Sequence, residues 1–234
     1  MPPTCRSSPQ TEQRRKQAEE RLAVWEAKTK LGKMVVSGEI DSLHAALNCG
    51  FPLREPEIID ILVPEIREEV LDIHMVQRMS DSGRRIRFAV TTVVGNEDGA
   101  IGLGRASGKL VRPTIGKSID KAKMNLIEIR RGSGSWESTT NEPNSLPFSV
   151  MGRCSSTRVT LKPAPPGVGL VTNQVGRIML GLAGIKDVWS FSKGQTKTIY
   201  NFANAVYTAL KKTSTTRVLA GQEEEQNIIR GAKK

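Results

Sequence analysis

Residues 84–94 read Arg84-Arg85-Ile86-Arg87-Phe88-Ala89-Val90-Thr91-Thr92-Val93-Val94, and their alternation decides the architecture of the region around them. Ile86, Phe88, Val90, Thr92 and Val94 share one face of a strand, while Arg85 and Arg87 fall on the other. Gly95-Asn96-Glu97-Asp98-Gly99 is turn chemistry, and Ala100-Ile101-Gly102-Leu103-Gly104-Arg105 resumes as a glycine-interrupted strand. A helix is expected from about Pro113, a residue suited to a first turn, to Leu126 or a little beyond. Ile115, Ile119, Ala122 and Leu126 define its expected buried stripe. Lys117, Lys121 and Lys123 project from the remaining surface, with Lys109 just before it. A hairpin carrying arginines and a helix carrying lysines together suit the phosphate backbone of a nucleic acid.

Outward from this hairpin the pattern repeats in another form. Residues 132–146 are a long connection with little apolar content, and a domain junction is expected there. Beyond it, 148–151 and 158–162 read as strands, the second running into Pro163-Ala164-Pro165-Pro166-Gly167-Val168-Gly169. A helix over 174–183 buries Val175, Ile178, Met179 and Leu182 and ends at Gly184. A strand over 187–191 and a last helix over 199–211, with Thr198 as its N-cap, complete a ββαβα order. On the other side, residues 22–75 read as an acidic, helical extension, with Pro56 opening a stretch that Pro64 divides into two short helices. Residues 73–78 read as already extended, on a short alternation. The expected organisation is a disordered tail at 1–21, the extension at 22–75, domains at 76–131 and 132–213, and a mobile tail at 214–234.

The charge is uneven. The 234 residues carry a formal net charge of +11. Residues 1–75 hold 10 basic and 13 acidic side chains, whereas 76–134 hold 12 and 5 and 135–213 hold 9 and 3. An excess of that sign in the middle and C-terminal portions points to a polyanionic partner. Phe88 is the only aromatic residue in 76–134, which disfavours base stacking there and favours the reading of A-form shape and phosphates. The three cysteines, at 5, 49 and 154, have neither the density of a disulfide framework nor the paired spacing of a zinc site. No signal-like segment and no run of 18 apolar residues occurs, so a soluble intracellular protein without membrane contact is expected.

Catalytic readings fail in their details. Gly102-Leu103-Gly104-Arg105-Ala106-Ser107-Gly108 spaces its glycines as GxGxxxG rather than as the dinucleotide fingerprint. Gly176 to Gly181 opens like a phosphate loop, but Leu182 and Ala183 stand where Lys and Ser or Thr are required. Gly167-Val168-Gly169 resembles the loop of small-molecule kinases without their serine-rich helix start. His44 and His74 are remote in sequence from Cys154, and Glu97 and Asp98 at the hairpin turn are the only adjacent acids in the basic region. No enzyme and no cofactor is expected.

The motifs together carry a family resemblance. Arg84 to Phe88, Val93-Val94-Gly95-Asn96-Glu97-Asp98-Gly99 and Ile101 to Gly104 resemble the core motif of the small-subunit ribosomal protein number five family. Met151-Gly152-Arg153-Cys154, Arg158-Val159, Pro163-Ala164-Pro165, Leu182-Ala183-Gly184-Ile185-Lys186-Asp187-Val188 and 198–203 agree in order and spacing. Arg130-Arg131-Gly132-Ser133-Gly134-Ser135-Trp136-Glu137 resembles the archaeal branch. The resemblance implies an α+β fold: a double-stranded-RNA-binding-like hairpin and helix domain, then a small α/β domain with a left-handed crossover. It implies a structural constituent of the small subunit that binds ribosomal RNA beside small-subunit proteins four and eight. It further implies a place near the channel by which messenger RNA enters, with a contribution to assembly and translational accuracy. Arg78 resembles the family's channel arginine, although the loop after it is shorter than in bacterial members. Ser133, Ser138 and Thr140 stand where many archaeal relatives have cysteines, so no metal is implied, and Ser155 replaces a family glycine.

The expected RNA contacts are Arg78, Arg84, Arg85, Arg87, Lys109, Lys117, Lys121, Lys123, Arg130, Arg131, Arg153 and Arg158. The alternative reading is a free-standing regulator that binds double-stranded RNA. For the strand face of Arg85 and Arg87, the alternative to RNA is cover by the acidic segment 55–72.

Overall fold

The computed structural model describes residues 25–138 and 142–231, and the tail expected at 1–21 lies outside the described residues. The chain forms two compact units, residues 1–64 and 65–234. Among the described residues of the first, three short helices follow one another: α1 (Lys30–Val36), α2 (Leu43–Asn48) and α3 (Glu57–Leu62). Thr29 and Ser42 cap the first two, each side-chain oxygen accepting a backbone N–H of the first turn. Glu55 accepts the N–H groups of Lys28 and Thr29 at 3.1 and 2.8 Å. Leu31, Val35, Ile40, Ala46 and Ile58 form the small core of this unit.

The expected helical extension to residue 75 is corrected here. Helix ends at Leu62, and 67–80 form a 14-residue strand, β1 (Arg67–Ser80). Pro64 therefore separates a helix from a strand rather than two helices. Strand β1 pairs antiparallel with β2 (Gly83–Gly95), which pairs with β3 (Ala100–Gly108), whose start pairs with β4 (Leu126–Glu128). The acidic residues Glu68, Glu69 and Asp72 sit beside Val94, Val93 and Thr91 in this register. They extend the sheet's edge, so this part of the acidic segment does not lie over the face of Arg85 and Arg87.

Helix α4 (Val111–Met124) crosses one face of the sheet, and the glycines of β3 explain how. A Cβ on Gly102 would strike the Ala122 carbonyl, one on Gly104 the Ser118 carbonyl and one on Gly108 the Thr114 hydroxyl. Thr114, Ser118 and Ala122 are the helix residues turned inward, with Lys123, while Ile115 and Ile119 are only half-buried. Of the expected stripe Ala122 and Leu126 are buried and Ile115 and Ile119 are not, and the helix expected to reach Leu126 stops at Met124, Leu126 opening β4. Strand glycines admit the helix backbone, so small side chains must face them. Phe88, expected in the core, lies opposite Gly108 near the start of the helix's cover and is half-buried.

The second lobe has the expected ββαβα order. Strands β6 (Val150–Cys154), β7 (Thr157–Pro163), β8 (Leu170–Val171) and β9 (Val188–Lys193) form a sheet ordered β6-β7-β9-β8. Strand β8 runs parallel to β9, and helix α5 (Gln174–Leu182) joins them. Helix α6 (Ile199–Thr215) lies on β6, where a Cβ on Gly152 would strike the Ala205 carbonyl. Asp187 Oδ1 accepts the N–H groups of Gly167 and Gly169 at 3.1 and 2.8 Å, which ties the proline-glycine loop to the strand. Ser155 has φ +56° in the β6–β7 turn, a left-handed conformation that a glycine would adopt without cost.

The two lobes share one core. Val93, Ile101 and Leu103 of the first sheet pack with Val159, Met179, Leu182, Phe202 and Val206. The turn of Glu97 and Gly99 donates backbone N–H groups to the Leu182 and Ala183 carbonyls at 2.9 and 3.1 Å, closing the C-terminal end of α5. The segment expected as a mobile tail carries helix α7 (Ala220–Glu225) and strand β10 (Ile229–Arg230), and β10 pairs with β5 (Arg130–Arg131).

Two glycines give the test. Gly104→Ala should destabilise the protein by about 1–3 kcal/mol, since its methyl meets helix backbone. Gly116→Ala, in α4 with nothing within 4 Å of the added Cβ, should stabilise by about 0.5–1 kcal/mol. Urea unfolding of both variants measures the pair.

Candidate nucleic-acid interface

Past the cover of α4, strands β1 and β2 continue as a two-stranded arm. Its register sets Met75 opposite Phe88, Val76 opposite Arg87, Gln77 opposite Ile86, Arg78 opposite Arg85 and Met79 opposite Arg84, with Ser80 and Gly83 closing the turn. Cross-strand partners share a face, so the arm has two different sides. One carries Arg78, Arg85 and Arg87. The other carries Met75, Met79, Ile86 and Arg84. Both are open to solvent: Met79 is 67 % exposed and Ile86 45 %. A two-stranded ribbon open on both faces has little to hold it in water alone, and this one sets like charges directly opposite each other.

The basic side continues into the body. Arg105 lies on the same sheet face, exposed, with its guanidinium 4.3 Å from the centre of the Tyr200 ring on α6. Arg87, Lys121, Val76 and Ser107 line the open groove of about 450 Å³ around that pair, and none of the groove's lining residues is acidic. Neither Arg105 nor Tyr200 was singled out by sequence reasoning, because the two are brought together only when the lobes pack.

The other expected contacts separate into two groups. Arg78, Arg84, Arg85, Arg87, Lys109, Lys117, Lys121, Arg153 and Arg158 are exposed. Arg153 and Arg158 face each other across β6 and β7, with Arg153 Nε donating to the Ser155 carbonyl at 3.1 Å. Lys123 and Arg131 are corrections. Lys123 is buried with its Nζ 3.6 Å from Glu68 on β1. Arg131 is buried with its guanidinium donating to Asp98 at 2.5 Å, to the Gly231 carbonyl at 3.1 Å and to the Gly184 carbonyl at 3.4 Å. A charged group taken out of water needs such partners, and these side chains are structural ties. Arg130 is half-buried and donates to the Thr216 carbonyl at 2.7 Å, so it too is engaged internally.

The sites weighed for chemistry stay apart. His74 is 3.0 Å from Asp72 on β1, and Cys154 lies on β6 near Asn201. Among the described residues no cluster of His, Cys, Asp or Glu could hold a metal ion. Ser133 donates to Ser138 at 2.7 Å, while Thr140 lies outside the described residues. No helix is long and apolar enough to cross a membrane among the described residues.

Fold and surface define a class first: an α+β scaffold protein that displays a basic arm and basic sheet faces, with no assembled catalytic group among its described residues. Residues 66–130 match the signature of Ribosomal protein S5, N-terminal domain, and 152–223 that of Ribosomal protein S5, C-terminal domain. A protein of Methanocaldococcus jannaschii, "Small ribosomal subunit protein uS5", is 47 % identical over 207 residues, which cover 88 % of this chain and 95 % of that one. The proteins of the same name from Thermoplasma volcanium and Methanoregula boonei are each 51 % identical, over 84 % and 83 % of this chain and 89 % and 95 % of theirs. The chain belongs to the uS5 family of small-ribosomal-subunit proteins, in its archaeal branch. It is a structural, non-enzymatic constituent of the ribosome.

The buried tie can be tested apart from the surface. Asp98→Ala leaves the Arg131 guanidinium without its carboxylate and should cost about 3 kcal/mol of stability. Arg87→Ala, at an exposed position, should change stability by no more than about 0.5 kcal/mol. Thermal or urea unfolding compares them.

Proposed function

We propose that this chain binds small-subunit ribosomal RNA through backbone phosphates, using the arm of β1 and β2 as its principal contact. The observation that carries the reading is the arm itself: Arg78 directly opposite Arg85, Arg87 one pair behind, and both faces open. Asp81 at the turn is the only acid between residues 73 and 88. Lys109 just before α4, Lys117 and Lys121 on it, and Arg153 and Arg158 on the second lobe extend the phosphate-binding surface. Arg84, on the apolar side of the arm, belongs to it as well. Lys123, Arg130 and Arg131 are left out for their internal partners.

In this reading the first lobe handles RNA in the manner of a double-stranded-RNA-binding domain, by shape and phosphate rather than by base. Its antiparallel strands followed by one packed helix support that comparison. The left-handed sense of the β8–α5–β9 crossover belongs to the same proposal, as does a position beside small-subunit proteins four and eight. Arg78, close to the arm's turn, is proposed to face messenger RNA near the channel by which it enters, and thereby to contribute to accuracy. Assembly into the subunit would rest on the remaining cations. The free-standing regulator has no observation in its favour.

Salt and two variants test the proposal. With roughly six phosphates neutralised, affinity of the full chain for structured ribosomal RNA should fall by about 10³-fold between about 50 and 200 mM salt. Reversing Arg85 and Arg87 to Glu should lower both the affinity and the salt slope. Arg78→Ala should still enter subunits while changing messenger entry or misreading. A salt-insensitive complex would contradict phosphate binding, and an Arg78→Ala chain excluded from subunits would contradict the channel assignment.

A further inference from the structure

The second lobe's sheet has one covered face and one bare face. Helices α5 and α6 bury Val150, Gly152, Val159, Leu161 and Val188 on one side. On the other side the pairing register stacks side chains into rows. Arg153, Arg158 and Lys193 stand directly opposite one another across β6, β7 and β9. The next row is Met151, Thr160 and Phe191, and the row after it is Lys162, Trp189 and Val171. Met151 is 50 % exposed and Phe191 57 %. Lys162 Nζ lies 4.9 Å from the centre of the Phe191 ring.

No residue of these three rows is acidic. Like charges directly opposite on a sheet repel, so a register that aligns Arg153, Arg158 and Lys193 costs stability unless an anion lies across it. An apolar docking patch for a protein would keep its cations to the rim. Here a cationic row crosses three strands, and the next two rows each carry one aromatic ring, Phe191 and then Trp189. Rows repeat every two residues, about 6.8 Å along the strand, which leaves room for a phosphate on one and a base on the next. Aromatic rings on an open sheet can stack only on bases that are not already stacked in a duplex.

We propose that this bare face is a second RNA surface, one that takes unpaired nucleotides, with Arg153, Arg158 and Lys193 on phosphates and Phe191 under a base. The inference rests on the RNA-binding reading above and adds a different class of RNA to it. The arm takes duplex backbone without stacking. This sheet takes single strand with it.

The test uses the full chain with two probes, a ten-nucleotide oligouridylate and an RNA duplex of equal length. Phe191→Ala should weaken oligouridylate binding by about tenfold or more and leave duplex binding unchanged, and Phe191→Tyr should restore it. Arg85→Glu with Arg87→Glu should weaken the duplex and spare the oligouridylate. Equal oligouridylate affinity for the wild type and Phe191→Ala would overturn the proposal while the arm's reading stands. Loss of neither probe in any variant would overturn both. In assembled subunits, a photoreactive benzoylphenylalanine at position 191 should crosslink to RNA, and a crosslink to a neighbouring protein instead would overturn the assignment of this face.

Discussion

Helix α4 lies so close to strand β3 that Gly102 and Gly104 have no room for side chains, their place being taken by the carbonyls of Ala122 and Ser118. Contact between two backbones is short-ranged and unforgiving, and it dictates what surrounds it. Small residues must fill the helix face, and the larger apolar side chains of this interface come from β2, where Val90 and Val94 are fully buried. On the sheet's other face Val93, Ile101 and Leu103 join the second lobe. The sheet is therefore held between a helix and a lobe. Where both end, near Phe88, the strands continue with exposed side chains on both faces. The arm is the part of the hairpin that the core does not reach.

Electrostatics follow the same division. Where the sheet is sandwiched, cations are tied to acids and carbonyls: Lys123 to Glu68, and Arg131 to Asp98, Gly184 and Gly231. Buried charges of this kind bring little net stability but are costly to break, which suits ties that fix how turn, helix end and C-terminal strand meet. Beyond the sandwich the cations have water on their far side. The net positive charge of the middle segment is thus two populations, one that holds the fold and one that faces outward.

Much of this was legible in the residues. The alternation from Ile86 to Val94 placed β2, Gly95 to Gly99 placed the turn, and the apolar spacing of Phe202, Val206 and Leu210 placed α6. Only the second half of strand β1, from Ile73, was legible, because an edge strand with an open face mixes polar and apolar residues without a clean period. The apolar residues of 57–71 also mimic helical spacing across the true boundary at Pro64. The α4 stripe was misplaced because reading it needed the glycines of the neighbouring strand. Arg131 looked like a free cation since its partners lie 33, 53 and 100 residues away. Phe191 and Trp189 carry no motif in the sequence, and only the register puts them in neighbouring rows beside cations.

The central claim is that the exposed arm lies against RNA backbone in the small subunit. An iron chelate tethered at position 85, through a cysteine introduced into a chain whose own cysteines are replaced, would cleave nearby sugars when hydroxyl radicals are generated in assembled subunits. Strong cleavage at a few clustered backbone positions, absent when the chelate is placed at Gly116 on α4, where an added Cβ meets nothing within 4 Å, is the predicted result. Weak cleavage spread along the ribosomal RNA, or none from position 85, would contradict the account.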